Sequence, residues 1–228
     1  AALRRGRPTV FSSGGAEAAT ATGDLLFSRA FAELAATGHP DAVRALSLAS
    51  SALAAGELMQ REDAWSPSVS RERYLERCEL KTARLFEAAC RLGALLGGPG
   101  AGAAGSLGSF GSRIGVAFQV FDDVLDVSGP TERTGKPRGT DLLDGTVTLP
   151  LIVARERDPS LRDLDVKTPA GAEEVCDRIT ATGALEDARR EATAHVAEAK
   201  NELRGINLNE RQRKALELVA DGVVERYA

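Results

Sequence analysis

Three carboxylates stand close together in a stretch near the middle of the chain that is otherwise apolar: Asp122, Asp123 and Asp126. At the period of an α-helix, Gly115 and Gln119 join Asp122 and Asp126 in one narrow polar stripe, and Asp123 lies beside it. Both flanks of the stripe are hydrophobic, so we expect it to face an internal cavity rather than bulk water. The alternative is an ordinary solvated acidic face.

Carboxylates one helical turn apart in an apolar setting need compensation for their charge. Like charges at this spacing destabilise a helix by roughly 0.2–0.5 kcal/mol per pair, and desolvation adds to that cost. Oxygen ligands with no Cys or His nearby suit Mg²⁺, which keeps several waters and commonly bridges one or two carboxylates to a substrate phosphate. The stripe therefore predicts a Mg²⁺ site and a ligand that carries phosphate.

The segment after this helix, residues 128–141, is rich in Gly and Pro and carries three cations, Arg133, Lys136 and Arg138. Such a loop can bring positive charge close to a metal-bound anion. It is not a P-loop, because the spacing between its glycines is too long and Pro137 stands where the Mg²⁺-binding Ser or Thr would be. The alternative for Lys136 is a solvated loop with ordinary surface charges.

These residues form part of a larger set that resembles the trans-isoprenyl diphosphate synthases, also called polyprenyl synthetases. The Asp-Asp-x-x-Asp motif at residues 122–126 is similar to the second aspartate-rich region of that family, and such a motif alone is a weak signal. The other matching blocks occur in the order and at about the distances of the family: Leu3–Thr9, Gly23–Phe27, Gly56–Gln60, Lys81-Thr82, Phe118-Gln119, Gly135-Lys136, Gly139–Asp141 and Thr148–Pro150.

The resemblance implies an all-α fold, an isoprenoid synthase-type helical bundle around a central cavity. It also implies a prenyltransferase that condenses isopentenyl diphosphate head-to-tail with an allylic diphosphate to make a longer all-trans polyprenyl diphosphate. Diphosphate leaves readily only when its charge is neutralised by metal ions and Lys or Arg donors in a water-poor site. By resemblance, the cofactor is Mg²⁺ and the assembly is a homodimer.

The resemblance also assigns roles to single positions. Asp122 and Asp123 are the implied metal ligands, and Asp126 completes the motif, directly or through water. The residues implied to be catalytic and to bind the allylic substrate are Lys81, Thr82, Gln119 and Lys136. The two lysines are expected on the allylic diphosphate.

Three further positions are implied to bind substrate. Arg4 corresponds to a contact with the allylic diphosphate and Arg5 to one with isopentenyl diphosphate, since Arg can grip phosphate oxygens in a bidentate fashion. Phe118 would border the hydrocarbon and isopentenyl pocket. From composition alone, the two arginines could be a solvated terminus, and Glu57 and Gln60 could serve either helix packing or substrate positioning.

The chain departs from the family pattern at two places. The first aspartate-rich motif of the family precedes the block that starts at Leu3, and this chain begins at Ala1, so we expect a longer protein. Thr146 stands where many relatives carry Lys, which removes one possible cation from the diphosphate site. Product length and the preferred allylic substrate are not predicted, because the family sets length largely with residues just before the first motif.

Composition suits a single domain over residues 1–228, with 43% hydrophobic and 27% charged residues. A net charge of −4 argues against nucleic acid as the main partner. The three cysteines have spacings that suit neither disulfides nor zinc, so we expect packing residues in a reducing cytoplasm. No signal peptide is visible, and no apolar run approaches the roughly 18 residues of a membrane span.

Helical periodicity runs through almost the whole chain, and β-patterned alternation is scarce. An all-α fold therefore follows from the pattern itself. Besides the helix with the aspartates, and another that starts near Thr148, helices are predicted over residues 16–37, 41–61, 70–97, 171–183, 185–203 and 209–227, with a flexible connection over 97–105. Asp41 and Ser70 are expected to cap the helices that begin at residues 41 and 70.

Two other functions are compatible with this fold. A non-catalytic subunit of a heteromeric prenyl diphosphate synthase would use the fold as a scaffold, but it would have no need of the three aspartates together with Lys81 and Lys136. A cyclising terpene synthase would leave Arg4, Arg5 and Lys136 without a role.

Overall fold

A computed structural model describes residues 3–4, 6–97, 101–129, 137–162, 166 and 168–225, without the side chains of Arg4 and Ala101. Arg5 and Lys136 lie outside these residues. The described elements are, in chain order, β1 (Leu3–Arg4), β2 (Arg7–Pro8), α1 (Val10–Ala36), α2 (Pro40–Glu62), α3 (Arg71–Cys78), a π-helical segment (Glu79–Ala83), α4 (Arg84–Gly97), α5 (Ala101–Ser128), α6 (Thr140–Leu143), α7 (Leu149–Arg157), a 3-10 turn (Pro159–Arg162), α8 (Pro169–Ala181), α9 (Ala184–Glu202), a second 3-10 turn (Leu203–Gly205) and α10 (Glu210–Glu225).

The expected all-α fold is confirmed, with one small exception at the amino-terminal end. There, β1 and β2 form a two-stranded antiparallel hairpin in which Leu3 pairs with Pro8 and Arg4 with Arg7. Gly6 turns the chain with a φ of 72°, a conformation that glycine adopts without a Cβ clash. The hairpin is too short for a sequence pattern to reveal it.

Helix α5 runs through the middle of the bundle and packs most extensively against α4 and α9. Its fully buried side chains include Phe110, Ile114, Val120 and Val124. The same continuous core takes in side chains from α3 through α10. The central helix is therefore the element that carries both the core and the predicted aspartate stripe.

Helix α1 contributes no buried residue. It contacts α2. Its apolar side chains Leu25, Leu26 and Phe27 are exposed. The sequence predicts this helix from residue 16, and a non-helical Gly15, with φ 76°, separates that part from a first turn that begins at Val10.

Several helix ends are set by local chemistry that the sequence shows. Ser70 accepts a hydrogen bond from the Arg73 amide at 3.2 Å and caps α3, as the sequence predicts. Asp41, expected to cap α2, instead lies in its first turn behind His39 at the cap, where its charge still favours the helix dipole.

The prediction of a flexible connection over residues 97–105 is wrong in part, because α5 begins at Ala101. A Cβ at Gly102 or Gly105 would meet no described heavy atom within 4 Å, whereas glycines further along α5 allow close packing. A Cβ at Gly108 would lie 2.8 Å from Arg91 Nε, and one at Gly111 would lie 2.5 Å from the Phe86 carbonyl oxygen. Glycine along α5 thus lets α4 approach it closely.

No helix within the described part of the chain combines the length and the apolar character of a membrane span.

Candidate active site

Helices α3 and α4 are joined by the π-helical segment Glu79–Ala83, which carries Lys81 and Thr82. Such segments are rare and frequently lie at functional sites. Here the two adjacent side chains bond to different helices, Lys81 to α2 and Thr82 to α5.

Lys81 is held by two polar side chains of α2. Its Nζ donates to Gln60 Oε1 at 2.9 Å and lies 3.1 Å from Glu57 Oε1. Gln60 in turn donates through Nε2 to Thr146 Oγ1 at 3.3 Å. Thr146 thus belongs to the hydrogen-bonded surroundings of Lys81.

Thr82 begins a second chain of hydrogen bonds that leads into the core. Its Oγ1 donates to Gln119 Oε1 at 2.8 Å, and Gln119 Nε2 donates to Asp123 Oδ1 at 2.8 Å. The other oxygen of that carboxylate, Oδ2, accepts from the Tyr74 hydroxyl at 2.7 Å. Both oxygens of Asp123 are therefore engaged by protein donors.

Burial changes the acidity of Asp123. Only 3% of this residue is exposed, and desolvation raises the pKa of its carboxyl to about 7, against the opposing hydrogen bonds from Tyr74 and Gln119. The charge of Asp122 beside it also raises that pKa. Burial raises the pKa of Tyr74 well above its usual value as well, so its hydroxyl remains a donor.

The other two aspartates of the motif have different surroundings. Asp126 is buried, and its Oδ2 accepts from the Asp141 amide at 3.1 Å, while its carbonyl oxygen accepts from the Gly139 amide at 2.9 Å. It therefore fastens the start of α6 to the end of α5. Asp122 is partly exposed.

A buried arginine lies beneath these groups. Arg77 Nη1 is 3.3 Å from Asp63 Oδ2, and its Nη2 donates to the Val147 carbonyl oxygen. Asp63 Oδ1 also accepts from Arg73 Nε at 2.8 Å. This cation joins the end of α2, the helix α3 and the residue pair that precedes α7.

Among the predicted site residues, the structure brings four together: Lys81, Thr82, Gln119 and Asp123 line one small pocket or bond to its lining. Its volume is about 20 Å³, roughly the space of one water molecule. Phe118 packs against Phe86 with ring centroids 5.5 Å apart.

The predicted cations are placed only in part. Arg138 donates through Nε to the Val127 carbonyl oxygen at 2.8 Å and pairs through Nη2 with Asp177 Oδ1 at 3.0 Å, so it fastens its loop to α5 and α8. Arg133, Lys136 and Arg5 lie outside the described residues, and Arg4 is described only in its backbone.

The donors present suit a hard divalent cation only in part. Among the described residues, no group of three or more His, Cys, Asp or Glu side chains converges as a complete metal site. The oxygens of Asp123 are turned to Tyr74 and Gln119. Asp122, the partly exposed carboxylate of the motif, offers the hard oxygen donor that Mg²⁺ accepts alongside waters and phosphate oxygens.

The sequence reasoning did not identify Tyr74, Arg77 and Asp63. A usable signal was present, because Tyr74, Arg77 and Lys81 recur at helical spacing and would share one face. A tyrosine and an arginine on the face that leads to a functional lysine are candidates for buried hydrogen-bond partners.

Comparisons with known proteins show the family of this chain. The model of the polyprenyl synthetase family matches residues 1–179. Heptaprenyl diphosphate synthase component 2 from Geobacillus stearothermophilus is 35% identical over 212 residues, or 91% of this chain and 66% of that protein. Geranylgeranyl diphosphate synthase from Methanosarcina mazei is 35% identical over 210 residues, or 88% of this chain and 64% of that protein. The chain thus spans slightly less than two thirds of these two relatives.

Solved structures show the same similarity. A polyprenyl synthase from Caulobacter crescentus CB15, in complex with calcium and isoprenyl diphosphate, superposes with a TM-score of 0.89 at 34% identity, covering 100% of this chain and 71% of that one. A decaprenyl diphosphate synthase from Rhodobacter capsulatus gives a TM-score of 0.88 at 30% identity, covering 100% of this chain and 72% of that one. The chain therefore belongs to the polyprenyl synthetase family and has its fold.

Proposed function

We propose that the protein containing this chain is a trans-prenyltransferase that joins isopentenyl diphosphate head-to-tail to an allylic diphosphate. The observation that carries the proposal is that the π-helical segment is bonded to two helices, through Lys81 to Gln60 of α2 and through Thr82 to Gln119 of α5, which in turn bonds Asp123. Family membership and relatives named as prenyl diphosphate synthases support it.

The reaction breaks the allylic carbon–oxygen bond, and the bonding electrons leave with the diphosphate. The double bond of isopentenyl diphosphate then forms the new carbon–carbon bond, and loss of a proton restores a double bond. Bound Mg²⁺ would supply neutralisation of the charge that builds up on the leaving diphosphate. The Caulobacter relative, in complex with calcium and isoprenyl diphosphate, supports a divalent cation in this family.

Within this scheme, Asp122 would hold Mg²⁺, because it is the partly exposed carboxylate of the motif. Asp123 would keep Gln119 and the central helix in position from inside the core, since both of its oxygens already accept hydrogen bonds. Asp126 would fix the following loop through the amide of Asp141.

The cations would bind the diphosphates. Lys81, held but 29% exposed, would bind the allylic diphosphate together with Lys136 and Arg4, and Arg5 would bind isopentenyl diphosphate. Thr82 and Gln119 would complete the allylic site, and Phe118 would border the isopentenyl pocket. These roles rest on the family motif for the residues whose side chains the structure does not describe.

The test is direct. The full-length gene product is incubated with isopentenyl diphosphate carrying a radiolabel, Mg²⁺ and either geranyl or farnesyl diphosphate, and the products are separated by chain length. Mg²⁺-dependent extension is the expected result. Failure to extend either substrate would overturn the proposal.

A non-catalytic subunit is the second candidate. Two relatives are named as component 2 of a heptaprenyl diphosphate synthase, which is the observation in its favour. A gene product that is inactive alone but gains activity when a different chain is added would identify this protein as such a subunit.

We further propose a homodimer in which α2 and α4 meet the second copy. These helices border an open groove of about 760 Å³, lined in part by Leu48, Ala52 and Leu95. Leu48, beside this groove, is 62% exposed, and a second copy that covered it would remove its apolar surface from water.

A single domain over residues 1–228 and a cytoplasmic location complete the proposal. The shared core, which continues into α9 and α10, supports the single domain. The three cysteines are free thiols, and burial raises the pKa of Cys90 to about 11 and that of Cys176 to about 12, which suits packing residues in a reducing compartment.

A further inference from the structure

The π-helical segment that carries Lys81 and Thr82 lies between the backbones of two other helices, and a glycine stands at each contact. On the α2 side, a Cβ at Gly56 would lie 2.6 Å from the Lys81 amide nitrogen and 2.9 Å from its Cα. On the α5 side, a Cβ at Gly115 would lie 2.5 Å from the Ala83 Cα. Both obstructing atoms are backbone, so no side-chain rotation could relieve the overlap.

Each glycine is followed four residues later by a glutamine that holds a side chain of the segment. Gln60 follows Gly56 and accepts from Lys81 Nζ at 2.9 Å, while Gln119 follows Gly115 and accepts from Thr82 Oγ1 at 2.8 Å. Residues four apart lie on the same face of a helix. The π-helical segment therefore packs against two helix faces with the same pattern, Gly-x-x-x-Gln, one on α2 and one on α5.

The two parts of each face do different things. The glycine sets how closely the helix backbone approaches the segment, and the glutamine fixes the end of the side chain that leaves it. A π-helical turn is rare and occurs mostly as a single turn within an α-helix. Its position therefore depends on the neighbouring helices, and here α2 and α5 each pack a glycine, Gly56 and Gly115, against it.

We propose that Gly56 and Gly115 are positioning residues for Lys81 and Thr82, acting through the backbone of the π-helical segment. The inference rests on the proposed function, because it takes these two side chains to contact the allylic diphosphate. A methyl group at either glycine would push the segment away from its helix and displace the lysine and the threonine together.

The chain offers a matched control on the same helix. A Cβ at Gly111 would lie 2.5 Å from the Phe86 carbonyl oxygen, as tight as at Gly115, but it faces α4 beyond the π-helical segment. Gly111→Ala should therefore disturb packing as much as Gly115→Ala does, without moving Lys81 or Thr82.

The experiment measures thermal midpoints, the KM values for geranyl and isopentenyl diphosphate, and equilibrium binding of the unreactive thiolo analogue of geranyl diphosphate. Gly56→Ala and Gly115→Ala should weaken analogue binding and raise the geranyl diphosphate KM about tenfold or more, with a smaller effect on isopentenyl diphosphate. Gly111→Ala should lower the midpoint comparably but change both KM values by less than about twofold.

Equal kinetic effects of Gly111→Ala and Gly115→Ala would overturn the inference and leave only packing. If the alanine variants do not fold, Gln60→Leu is the second variant, because it removes the acceptor of Lys81 without adding an atom beside the backbone of the segment. Unchanged analogue binding by Gln60→Leu would also overturn the inference. Wild-type protein that binds the analogue but makes no product would contradict the proposed reaction without contradicting this inference. Wild-type protein that does not bind the analogue would overturn both.

Discussion

At the scale of single residues, three carboxylates of one motif have three environments. Asp122 is partly exposed, Asp123 lies in the core with a pKa near 7, and Asp126 binds a loop amide. All three are aspartates of one short motif in the sequence. Their different environments follow from which neighbour each side chain meets.

Asp122→Asn should lower turnover by about two orders of magnitude, comparable to the loss of one strong electrostatic contact with the reacting charge. The thermal midpoint should change little, because the side chain is partly exposed. Steady-state assays at saturating Mg²⁺ on the full-length gene product measure the effect. Asp177→Asn, at an exposed aspartate of α8, is the control, and a loss of equal size there would contradict the assignment.

A second residue-scale prediction concerns pH. Burial lowers the pKa of His195, and the charge of Arg113 lowers it further. The charges of Glu191, Glu198 and Glu79 act in the opposite direction. Its Nδ1 has no hydrogen-bond partner in the part of the chain that the structure describes. The neutral ring therefore contributes stability that is present above pH about 6.5, the unfolded pKa, and is lost as pH falls through that value towards the folded pKa.

His195→Gln should remove that loss. Urea unfolding of wild type and variant between about pH 5 and pH 8 should show the wild type losing more stability on acidification. Parallel profiles for the two proteins would contradict the prediction.

At the scale of elements, the glycines of the helices fall into two kinds that the sequence does not distinguish. Gly115 and Gly111 exclude any side chain by close contact, whereas a Cβ at Gly93 in α4 would meet no described heavy atom within 4 Å. Gly93 is exposed, so no close contact with a described residue requires glycine at this position.

Gly93→Ala should stabilise the protein by about 0.5–1 kcal/mol, because alanine loses less backbone entropy in a helix than glycine does. Chemical denaturation measures the change in the free energy of unfolding. A loss of stability would show that this part of α4 has a contact that the described residues do not account for.

At the scale of the whole molecule, the proposed homodimer predicts that Leu48→Glu shifts the protein towards monomer. A charge placed in an apolar interface lacks compensation for its desolvation, and the dissociation constant should rise at least about tenfold. Light scattering coupled to size exclusion measures the molar mass over a dilution series. Leu218→Glu on α10, equally exposed at 62%, is the control and should leave the mass unchanged. Equal behaviour of the two variants would exclude this face.

The sequence by itself determined the helical class, most helix positions and the family. The helical class and the helix positions follow from local spacing, since the period of apolar residues and the cap at Ser70 involve residues within a few turns of one another. The family follows from the order of its motifs between Leu3 and Pro150. The same spacing placed Gln119 and Asp122 on one stripe, whereas Lys81 and Thr82 were identified by the resemblance to the family.

Only the tertiary structure decided which helix faces meet. The bond from Tyr74 to Asp123 and the close approach of Gly115 to the π-helical turn at Glu79–Ala83 join parts of the chain far apart in sequence. A glycine or a tyrosine looks the same in a sequence whether its neighbour is water or another backbone. The burial that raises the pKa of Asp123 exists only once α3 and α5 have packed together.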